Sequence, residues 1–249
     1  MTPFARRRER LRMTHPRFLP CGDAGLSVEF GDAAGREVSE RVLALDAALR
    51  ADPPPGLIET VPTFRALAVH LDPLVSDAAA MEAAIRPRLA ALDGAASDGR
   101  RWSVPVSYAP GHAPDLEDVQ RRTGLSREEV IALHAGPELH VYMIGFLPGH
   151  PYMGDVPEAL RLPRLAEPRT RVPKGAVAIA TAFSAIYPVE SPGGWRLIGR
   201  TPLPLFDLGR DPVALLQPAD KVTFRPVSTA EFDALARDAE AGRWTPAPE

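Results

Sequence analysis

The chain has 249 residues, of which 45% are hydrophobic and 24% are charged, a composition that predicts a soluble globular protein with one large or two modest domains. It contains 28 prolines, about twice the usual share of roughly 5%, which favours short strands and rigid turns over a long helical bundle. The net charge of −3 gives no sign of a nucleic-acid partner, and the single cysteine, Cys21, excludes an internal disulfide and a four-cysteine metal site.

The first segment, residues 1–16, is basic, and we expect it to be a disordered tail. Five arginines fall within its first twelve residues, and no apolar run follows them that resembles the core of a signal peptide. No stretch of about 18 apolar residues occurs in the chain, so no membrane span is predicted. Together with the use of a single cysteine, these features favour a cytoplasmic location.

Residues 17–93 predict a small N-terminal domain with the order strand, strand, helix, strand, strand, helix. Its four strand-like segments lie at 17–21, 26–30, 56–61 and 66–71. The first helix is predicted from apolar residues that recur every three or four positions, namely Val38, Val42, Leu45 and Leu49. The second helix is expected to begin after Asp77, as its N-cap, and to bend at Pro87.

A small, polar segment at residues 94–100 is typical of a linker, and residues 101–249 predict a second domain. A strand is expected at 102–108. Two helix N-caps, Asp115 and Ser126, follow it, and Ser126 forms a predicted capping box with the glutamate three residues later.

Half of the prolines lie between Gly136 and Pro226, where they separate short apolar segments. Because proline has no amide hydrogen to donate to a sheet, it collects at strand starts, edges and turns. This spacing predicts a small β-barrel or sandwich. A second capping box, Ser228 with Glu231, predicts a C-terminal helix after it.

The segment GFLPGHPYMG at 145–154 is the first of three that suggest chemistry. Its three glycines and two prolines predict a rigid, tightly turned loop of the kind that points backbone N–H groups at an anion. It lacks the Gly-Lys-Ser/Thr ending of a phosphate-binding P-loop, and it is not a dinucleotide-binding fingerprint. A corner of the barrel is the alternative interpretation.

The second segment, 161–174, holds five cations and the single anion Glu167 on a backbone stiffened by three prolines. Arginines on a stiff loop lose less entropy when they pair with a carboxylate or phosphate. A solvated basic loop and a surface for an acidic partner are the alternatives.

The third segment, 186–201, contains Ser-Pro-Gly-Gly-Trp, in which Gly193 and Gly194 permit close approach of a ligand or another strand. Ser191 is not in a Gly-x-Ser-x-Gly elbow, so a hydrolase nucleophile is not predicted. Judged singly, Tyr187 and Trp195 are packing residues.

His134 shares a predicted helix face with Val130 and Ile131, which favours a hydrogen-bonded core histidine. A general base is the alternative interpretation. The histidines do not form a metalloprotease motif, and no metal ligands are predicted.

Together, the three segments closely resemble the allophanate hydrolase subunit 1 family, also called the carboxyltransferase subdomain C/D family. The resemblance rests on GFLPGHPYMGD at 145–155, PRLAEPRTRVPKG at 163–175 and IYPVESPGGWRLIGRTP at 186–202. It extends more loosely to residues 21–31 and 114–134, and it covers most of the chain from about Arg17 to Pro226. The family includes the PxpB component of ATP-dependent 5-oxoprolinase and KipI-type inhibitors of sensor histidine kinases.

The resemblance implies an α+β fold, in which a small N-terminal α/β sandwich domain precedes a cyclophilin-like β-barrel domain with a C-terminal helix. It implies that the chain is a subunit of a hydrolase that opens 5-oxo-L-proline to L-glutamate. The implied partners are a subunit 2 or PxpC-type protein and a PxpA-type protein. ATP, with Mg²⁺, is expected in the assembled complex, where phosphorylation of the stable lactam would make it a better electrophile. The chain alone is expected to be inactive.

For this function we assign site residues by position. His134, as a proton carrier, and Arg171 are the predicted catalytic residues, and Arg171 also shares the recognition of an anion with Arg169. The loop from Gly149 to Tyr152 and the backbone of the glycine pair are assigned to a developing oxyanion. The predicted substrate-binding residues are Gly149, His150, Tyr152, Arg169, Tyr187, Gly193 and Gly194.

The sequence departs from the family pattern at three places. His150 stands where the family usually has an aromatic residue, and Lys174 stands where a small residue is commoner. The segment around Phe183 replaces a Gly-x-Gln-Thr-type stretch, which removes an amide contact to substrate and suggests altered specificity. Drift in residues that never touch a ligand is the alternative.

Two other functions remain open for a member of this family. One is a KipI-type inhibitor that docks on a sensor histidine kinase. The other is subunit 1 of an allophanate hydrolase or urea carboxylase-type enzyme. In that case biotin would be carried by another chain, because this sequence has no Met-Lys biotin-acceptor pair and we expect no biotin on it.

Overall fold

A computed structural model describes residues 16–92 and 99–249 of the chain. The chain divides into two compact units, Met1–Asp98 and Gly99–Glu249. The predicted tail, except for its last residue, and most of the predicted linker lie outside the described residues, so both stay predictions. Among the described residues, no helix is long and apolar enough to cross a membrane.

The first unit is a four-stranded antiparallel sheet with two helices. Its elements are β1 (Arg17–Pro20), β2 (Gly25–Glu29), α1 (Arg36–Ala51), β3 (Leu57–Pro62), β4 (Ala66–Leu71) and α2 (Ala78–Ala90). The strands lie in the order β1-β2-β4-β3. The predicted succession of strands and helices is confirmed.

The core of this unit lies between the sheet and the apolar faces of the helices. It is formed by Leu26, Val28, Phe30, Val42, Leu45, Leu49, Leu67, Val69, Leu71, Met81 and Ile85. Alternate residues of β2 and β4 point into this core, as expected for a sheet buried on one face. Asp77 caps α2 as predicted, since its Oδ1 accepts a hydrogen bond from the Ala80 amide at 2.7 Å. Pro87 lies inside α2, which continues to Ala90.

The second unit contains nine strands and three helices in the part of the chain that is described. They are β5 (Arg101–Val106), α3 (Leu116–Thr123), α4 (Arg127–Ala135), β6 (Leu139–Ile144), β7 (Pro151–Gly154), β8 (Arg169–Val172), β9 (Ala176–Ala180), β10 (Phe183–Ile186), β11 (Ser191–Gly193), β12 (Arg196–Arg200), β13 (Lys221–Pro226) and α5 (Thr229–Glu240). A short 3₁₀ turn, Glu158–Leu160, precedes the basic segment.

Seven of these strands form a nearly closed barrel in the order β12-β9-β10-β7-β6-β13-β5. The two ends of the sheet meet where the backbones of Ser107 and Arg200 exchange hydrogen bonds of 2.8 and 2.9 Å. All pairs are antiparallel except β13 with β5. The predicted fold class, an α/β unit followed by a β-barrel unit, is confirmed.

The strands β8 and β11 form a separate antiparallel ribbon that packs on the outside of the barrel. Strand β9 has the sequence AVAIA and is buried on both faces. Its Val177 and Ile179 enter the barrel core, whereas its alanines join a second apolar cluster with Val172 of the ribbon and Tyr187. Small alanine side chains allow the ribbon to lie close to the barrel, which places the second and third motifs beside the first.

The predicted helix caps of this unit differ in outcome. The capping box of Ser126 and Glu129 is confirmed. Ser228 accepts a hydrogen bond from the Glu231 amide at 3.1 Å, but the Glu231 carboxylate pairs with Arg225 instead of completing a box. Asp115 occupies the N-cap position of α3 without making a side-chain capping bond. The predicted N-cap position is therefore confirmed, but the carboxylate binds Arg169 and the Leu197 amide instead of the helix.

Candidate functional site

A pocket of about 220 Å³ opens where the three motifs meet. Phe146, His150 and Tyr152 line it from the first motif, and Arg164 and Pro168 line it from the second. The third motif contributes a run of lining residues, namely Tyr187, Pro192, Gly193, Gly194 and Trp195. The structure therefore brings together most of the predicted substrate-binding residues.

Aromatic rings form one wall of the pocket around His150. Its imidazole lies edge-on to Tyr152 and to Tyr187, each with a ring-centre distance of 5.0 Å, and 5.5 Å from Phe146. Tyr152 in turn meets Trp195 at 5.7 Å. Such a wall presents flat, mostly apolar surfaces, which suits a small ligand with a planar group.

His150 is a buried residue with one ring nitrogen that makes no hydrogen bond among the described residues. Its side chain is 2% exposed, and its Nδ1 is enclosed with no hydrogen-bond partner among the described residues. Burial lowers the pKa of His150 to about 4, so the ring is neutral at pH 7. An unpaired buried polar atom costs about 1–3 kcal/mol, and such atoms in native proteins call for an explanation.

Arg164 supplies the positive charge of the pocket. Its Cζ lies 5.8 Å from the ring centre of Trp195. Among the described residues it makes no ion pair, and no Asp or Glu lines the pocket. Burial raises the pKa of Tyr152, and the charge of Arg164 opposes that rise. The pocket thus carries one cation that is not neutralised by an acid.

The loop that carries His150 is held in a tight turn. The Gly145 amide donates to the His150 carbonyl at 3.1 Å, and the His150 amide donates to the Leu147 carbonyl at 3.0 Å. Gly149 has a φ of 74°, and Phe146, which is not a glycine, has a φ of 71°. A left-handed conformation at a bulky residue is strained and is found most often at functional sites.

The backbone of this loop has few free donors for an oxyanion. The His150 amide is already used within the turn, and Pro151 has no amide hydrogen. The assignment of Gly149 and the glycine pair to a developing oxyanion stays a prediction.

The two adjacent glycines have different roles. A Cβ on Gly193 would lie 2.4 Å from the hydroxyl oxygen of Tyr187, so only glycine allows this ring to sit there. The Tyr187 hydroxyl accepts a hydrogen bond from the Trp195 amide, and burial raises its pKa. A Cβ on Gly194 would lie 3.6 Å from Pro168, which is an ordinary contact.

Arg169 is not among the pocket-lining residues, and it links the ribbon to the start of α3. Its Nη2 is 2.5 Å from Asp115 Oδ1, while Asp115 Oδ2 accepts a hydrogen bond from the Leu197 amide at 2.7 Å. Nη1 of Arg169 is buried without a partner among the described residues. The predicted role of Arg169 in anion binding stays a prediction, and its contacts indicate that it positions the ribbon.

Arg196 holds the start of the basic segment in place, a role that sequence analysis missed. Its side chain is 2% exposed; it donates to Asp118 Oδ2 at 3.0 Å and to the Pro163 carbonyl. Pro163 directly precedes Arg164, so this contact helps to fix the pocket arginine. No local pattern around Arg196 indicates a buried arginine, because its partners are 33 and 78 residues away.

Arg171 is on the ribbon surface, outside the pocket lining. It forms two hydrogen bonds with the Glu190 carboxylate, at 3.0 and 2.9 Å, and is 77% exposed. This pairing raises the pKa of Arg171 and lowers that of Glu190.

His134 lies in the barrel core and does not line the pocket. Its Nδ1 is 2.8 Å from the Tyr108 hydroxyl, and its Nε2 is 3.0 Å from Ser184 Oγ. Because Ser184 Oγ donates to the Ala178 carbonyl, it accepts from Nε2–H, and Tyr108 donates to Nδ1. Burial lowers the pKa of His134 to about 3. These contacts favour a core histidine, and its role as a proton carrier stays a prediction.

Five pocket-lining residues are not among the predicted site residues, namely Phe146, Arg164, Pro168, Pro192 and Trp195. Phe146 lies in the first motif, Arg164 is one of five cations in its segment, and Trp195 was interpreted as a packing residue. Each belongs to one of the three motifs, so the motifs indicate which segments line the pocket. Which member of each motif faces the pocket depends on how the ribbon packs on the barrel.

Known proteins resemble this chain over most of its length. It is 35% identical over 228 residues to the B-type subunit of the 5-oxoprolinase of Bacillus subtilis (strain 168), an alignment that covers 87% of this chain and 95% of that protein. The crystal structure of TTHA0988 matches with a TM-score of 0.74 and 38% identity, covering 83% of this chain and 40% of that chain. This chain therefore spans about two-fifths of the length of TTHA0988.

A third likeness concerns the fold alone. The crystal structure of the urea amidolyase of Kluyveromyces lactis matches 94% of this chain and 16% of that chain, with a TM-score of 0.77 and 20% identity.

A family assignment follows from the match of a whole domain profile. The profile described as "Carboxyltransferase domain, subdomain C and D" matches residues 16–216, which is well over half of the chain and includes all three motifs. The chain therefore belongs to the carboxyltransferase domain family, subdomain C and D.

Proposed function

We propose that this chain is the PxpB-type subunit of an ATP-dependent 5-oxoprolinase, which opens 5-oxo-L-proline to L-glutamate. The observation that carries the proposal is the 35% identity to the Bacillus subtilis protein over 95% of its length. The convergence of the three motifs on one pocket supports it further. The urea amidolyase likeness, at 20% identity, adds no support for the alternative enzyme.

The chemistry of the pocket suits the proposed substrate. 5-Oxoproline is a small planar lactam that carries one carboxylate. The pocket offers one arginine without an acidic partner and an aromatic wall, in a volume of about 220 Å³. Arginine pairs well with carboxylates, and aromatic faces pack well on planar amides. In this proposal the chain binds and orients the lactam.

The same pocket does not fit ATP and its Mg²⁺. A triphosphate needs several cations or a glycine-rich loop, and Mg²⁺ prefers carboxylate oxygens, whereas the pocket has one arginine and no carboxylate. The described residues contain no cluster of three or more His, Cys, Asp or Glu that could hold a metal. We therefore place nucleotide binding in the assembled complex with PxpA-type and PxpC-type partners, and we expect no turnover by this chain alone.

The proposal is tested by mixing the purified chain with its PxpA-type and PxpC-type partners and measuring glutamate release from 5-oxo-L-proline and ATP. Glutamate should appear only when all subunits are present, and each subunit omitted in turn is the control. No release with every subunit present would overturn the proposed function. Hydrolysis of ATP by the isolated chain would contradict the assignment of the nucleotide to the assembly.

A further inference from the structure

We propose that Arg164 and His150 are the specificity-determining pair of this pocket. Arg164 binds the carboxylate of the ligand, and the neutral imidazole of His150 forms a hydrogen bond with its uncharged amide. The pocket thereby selects lactam carboxylates over zwitterionic amino acids. The choice of 5-oxoproline as the ligand rests on the proposed function, whereas the two residue roles rest on the geometry below.

Arg164 differs from the other arginines of its segment in its contacts. The segment has four arginines, of which Arg169 pairs with Asp115 and Arg171 pairs with Glu190. Arg161 donates to the Val156 carbonyl at 2.9 Å. Arg164 makes no ion pair among the described residues, and it is the arginine that lines the pocket. Arg164 is exposed and its guanidinium lies over the indole of Trp195, so it is placed to receive a carboxylate.

His150 is notable because burying a histidine in the aromatic wall of the pocket costs free energy. Three aromatic rings enclose it, and Nδ1 has no partner among the described residues. A phenylalanine would fill this space without burying an unpaired nitrogen, so packing alone does not explain the residue. A neutral imidazole has one N–H and one lone pair, and either can be matched by an amide C=O or N–H.

The electrostatics of the pocket explain the selectivity. A ligand with one carboxylate and a neutral amide satisfies Arg164 and His150 together. A zwitterionic amino acid brings an ammonium group, and no Asp or Glu lines the pocket to pair with it. Desolvating that charge without a partner opposes binding. The pocket should therefore prefer a ring whose nitrogen is acylated.

Three small ligands of similar shape test this preference by calorimetry on the isolated chain and on the assembled subunits. 5-Oxo-L-proline carries both groups, L-proline replaces the amide with an ammonium, and 2-pyrrolidinone lacks the carboxylate. We expect Kd to rise at least about tenfold for each of the last two ligands, as for the loss of one charge-assisted contact. Equal affinity for L-proline, or no binding of 5-oxo-L-proline to either sample, would overturn the proposal.

Variants then test the two residues. Arg164→Gln should weaken binding of 5-oxo-L-proline by about 10–100-fold, and His150→Phe, which keeps an aromatic ring, should weaken it by about 3–10-fold. Arg161→Gln is the matched control, because Arg161 lies in the same segment outside the pocket lining, and it should leave Kd unchanged. In the assembly, the pocket variants should raise KM more than they lower kcat.

The outcomes separate this inference from the proposed function. If the wild-type assembly releases glutamate while Arg164→Gln and His150→Phe bind the lactam as the wild type does, the recognition pair is wrong and the proposed function stands. If the chain binds the lactam through this pair but the assembly produces no glutamate, the proposed function is wrong and the recognition pair stands. Arg164 is exposed, so its substitution tests binding without threatening the fold.

Discussion

Acidification from pH 7.5 to 5.0 should destabilise the second unit through its buried histidines. Burial lowers the pKa of His134 to about 3, and it lowers that of His150 to about 4, from an ordinary value of 6.5. Below pH 6.5 the unfolded chain takes up protons that the folded unit does not. Stability is therefore fully present above pH 6.5 and falls as the pH approaches these lowered values.

The expected loss follows from the two pKa values of each residue. At pH 5.0, with 6.5 for the unfolded state, each histidine lowers the free energy of unfolding by about 2 kcal/mol relative to pH 7.5. The two together give about 4 kcal/mol, a large part of the 5–15 kcal/mol that is typical of a domain. Carboxylates whose pKa is lowered, such as Asp118 and Glu190, stay ionised at pH 5.0 and do not add to this change.

The chain offers a clean readout for this effect. Its three tryptophans, Trp102, Trp195 and Trp244, all lie in the second unit, so their fluorescence during urea unfolding reports on that unit. His134→Gln and His150→Phe should each remove about 2 kcal/mol of the pH dependence, whatever each variant does to stability at pH 7.5. Burial also lowers the pKa of His112, which adds a further change of the same sign that both variants keep. The reasoning is refuted if wild-type stability is the same at both pH values, or if both variants keep the full pH dependence.

Three further predictions concern residues around the pocket. Gly193→Ala should displace Tyr187 and lower the melting temperature by several degrees, because the new Cβ would lie 2.4 Å from the Tyr187 hydroxyl. Gly194→Ala should change the melting temperature little. Equal melting temperatures for the two variants would contradict this prediction. Arg171→Ala should lower the free energy of urea unfolding by less than about 1 kcal/mol, since its pair with Glu190 is exposed. The same variant in the glutamate-release assay tests the prediction that Arg171 is catalytic. Arg196→Ala should lower the free energy of unfolding by about 2–3 kcal/mol, because it leaves the Pro163 carbonyl and the Asp118 carboxylate without their buried donor. A loss as small as that of Arg171→Ala would show that the buried contacts of Arg196 do not stabilise the fold.

Much of the fold was predictable because its signals are local. Apolar residues at helical spacing in α1, the cap at Asp77 and the capping box at Ser126 each depend on residues within one or two turns. Asp115, which lies at the N-cap position of α3 without a side-chain capping bond, shows the limit of such signals. Its position before a helix predicts a cap, but an arginine 54 residues away and an amide 82 residues away use its carboxylate.

The candidate site was predictable as a set of segments but not as a set of side chains. Proline and glycine mark the three loops because their backbone preferences are intrinsic. Arg164 and Arg171 are both exposed arginines in the same segment, and only the pairing of Arg171 with Glu190 and the place of Arg164 beside Trp195 separate them. The chemistry of an arginine is set by the partners that it finds, which are distant in sequence.

By itself, the sequence determined the order of strands and helices in the first unit, the change to short strands in the second, and the three proline- and glycine-rich segments that carry the pocket residues. The tertiary structure alone decided that His150 stays unpaired in that pocket while His134 is satisfied in the core by Tyr108 and Ser184. The physical reason is that backbone preferences act over a few residues. Burial and hydrogen bonding of a polar side chain, in contrast, depend on groups that only the closed barrel and its ribbon bring together.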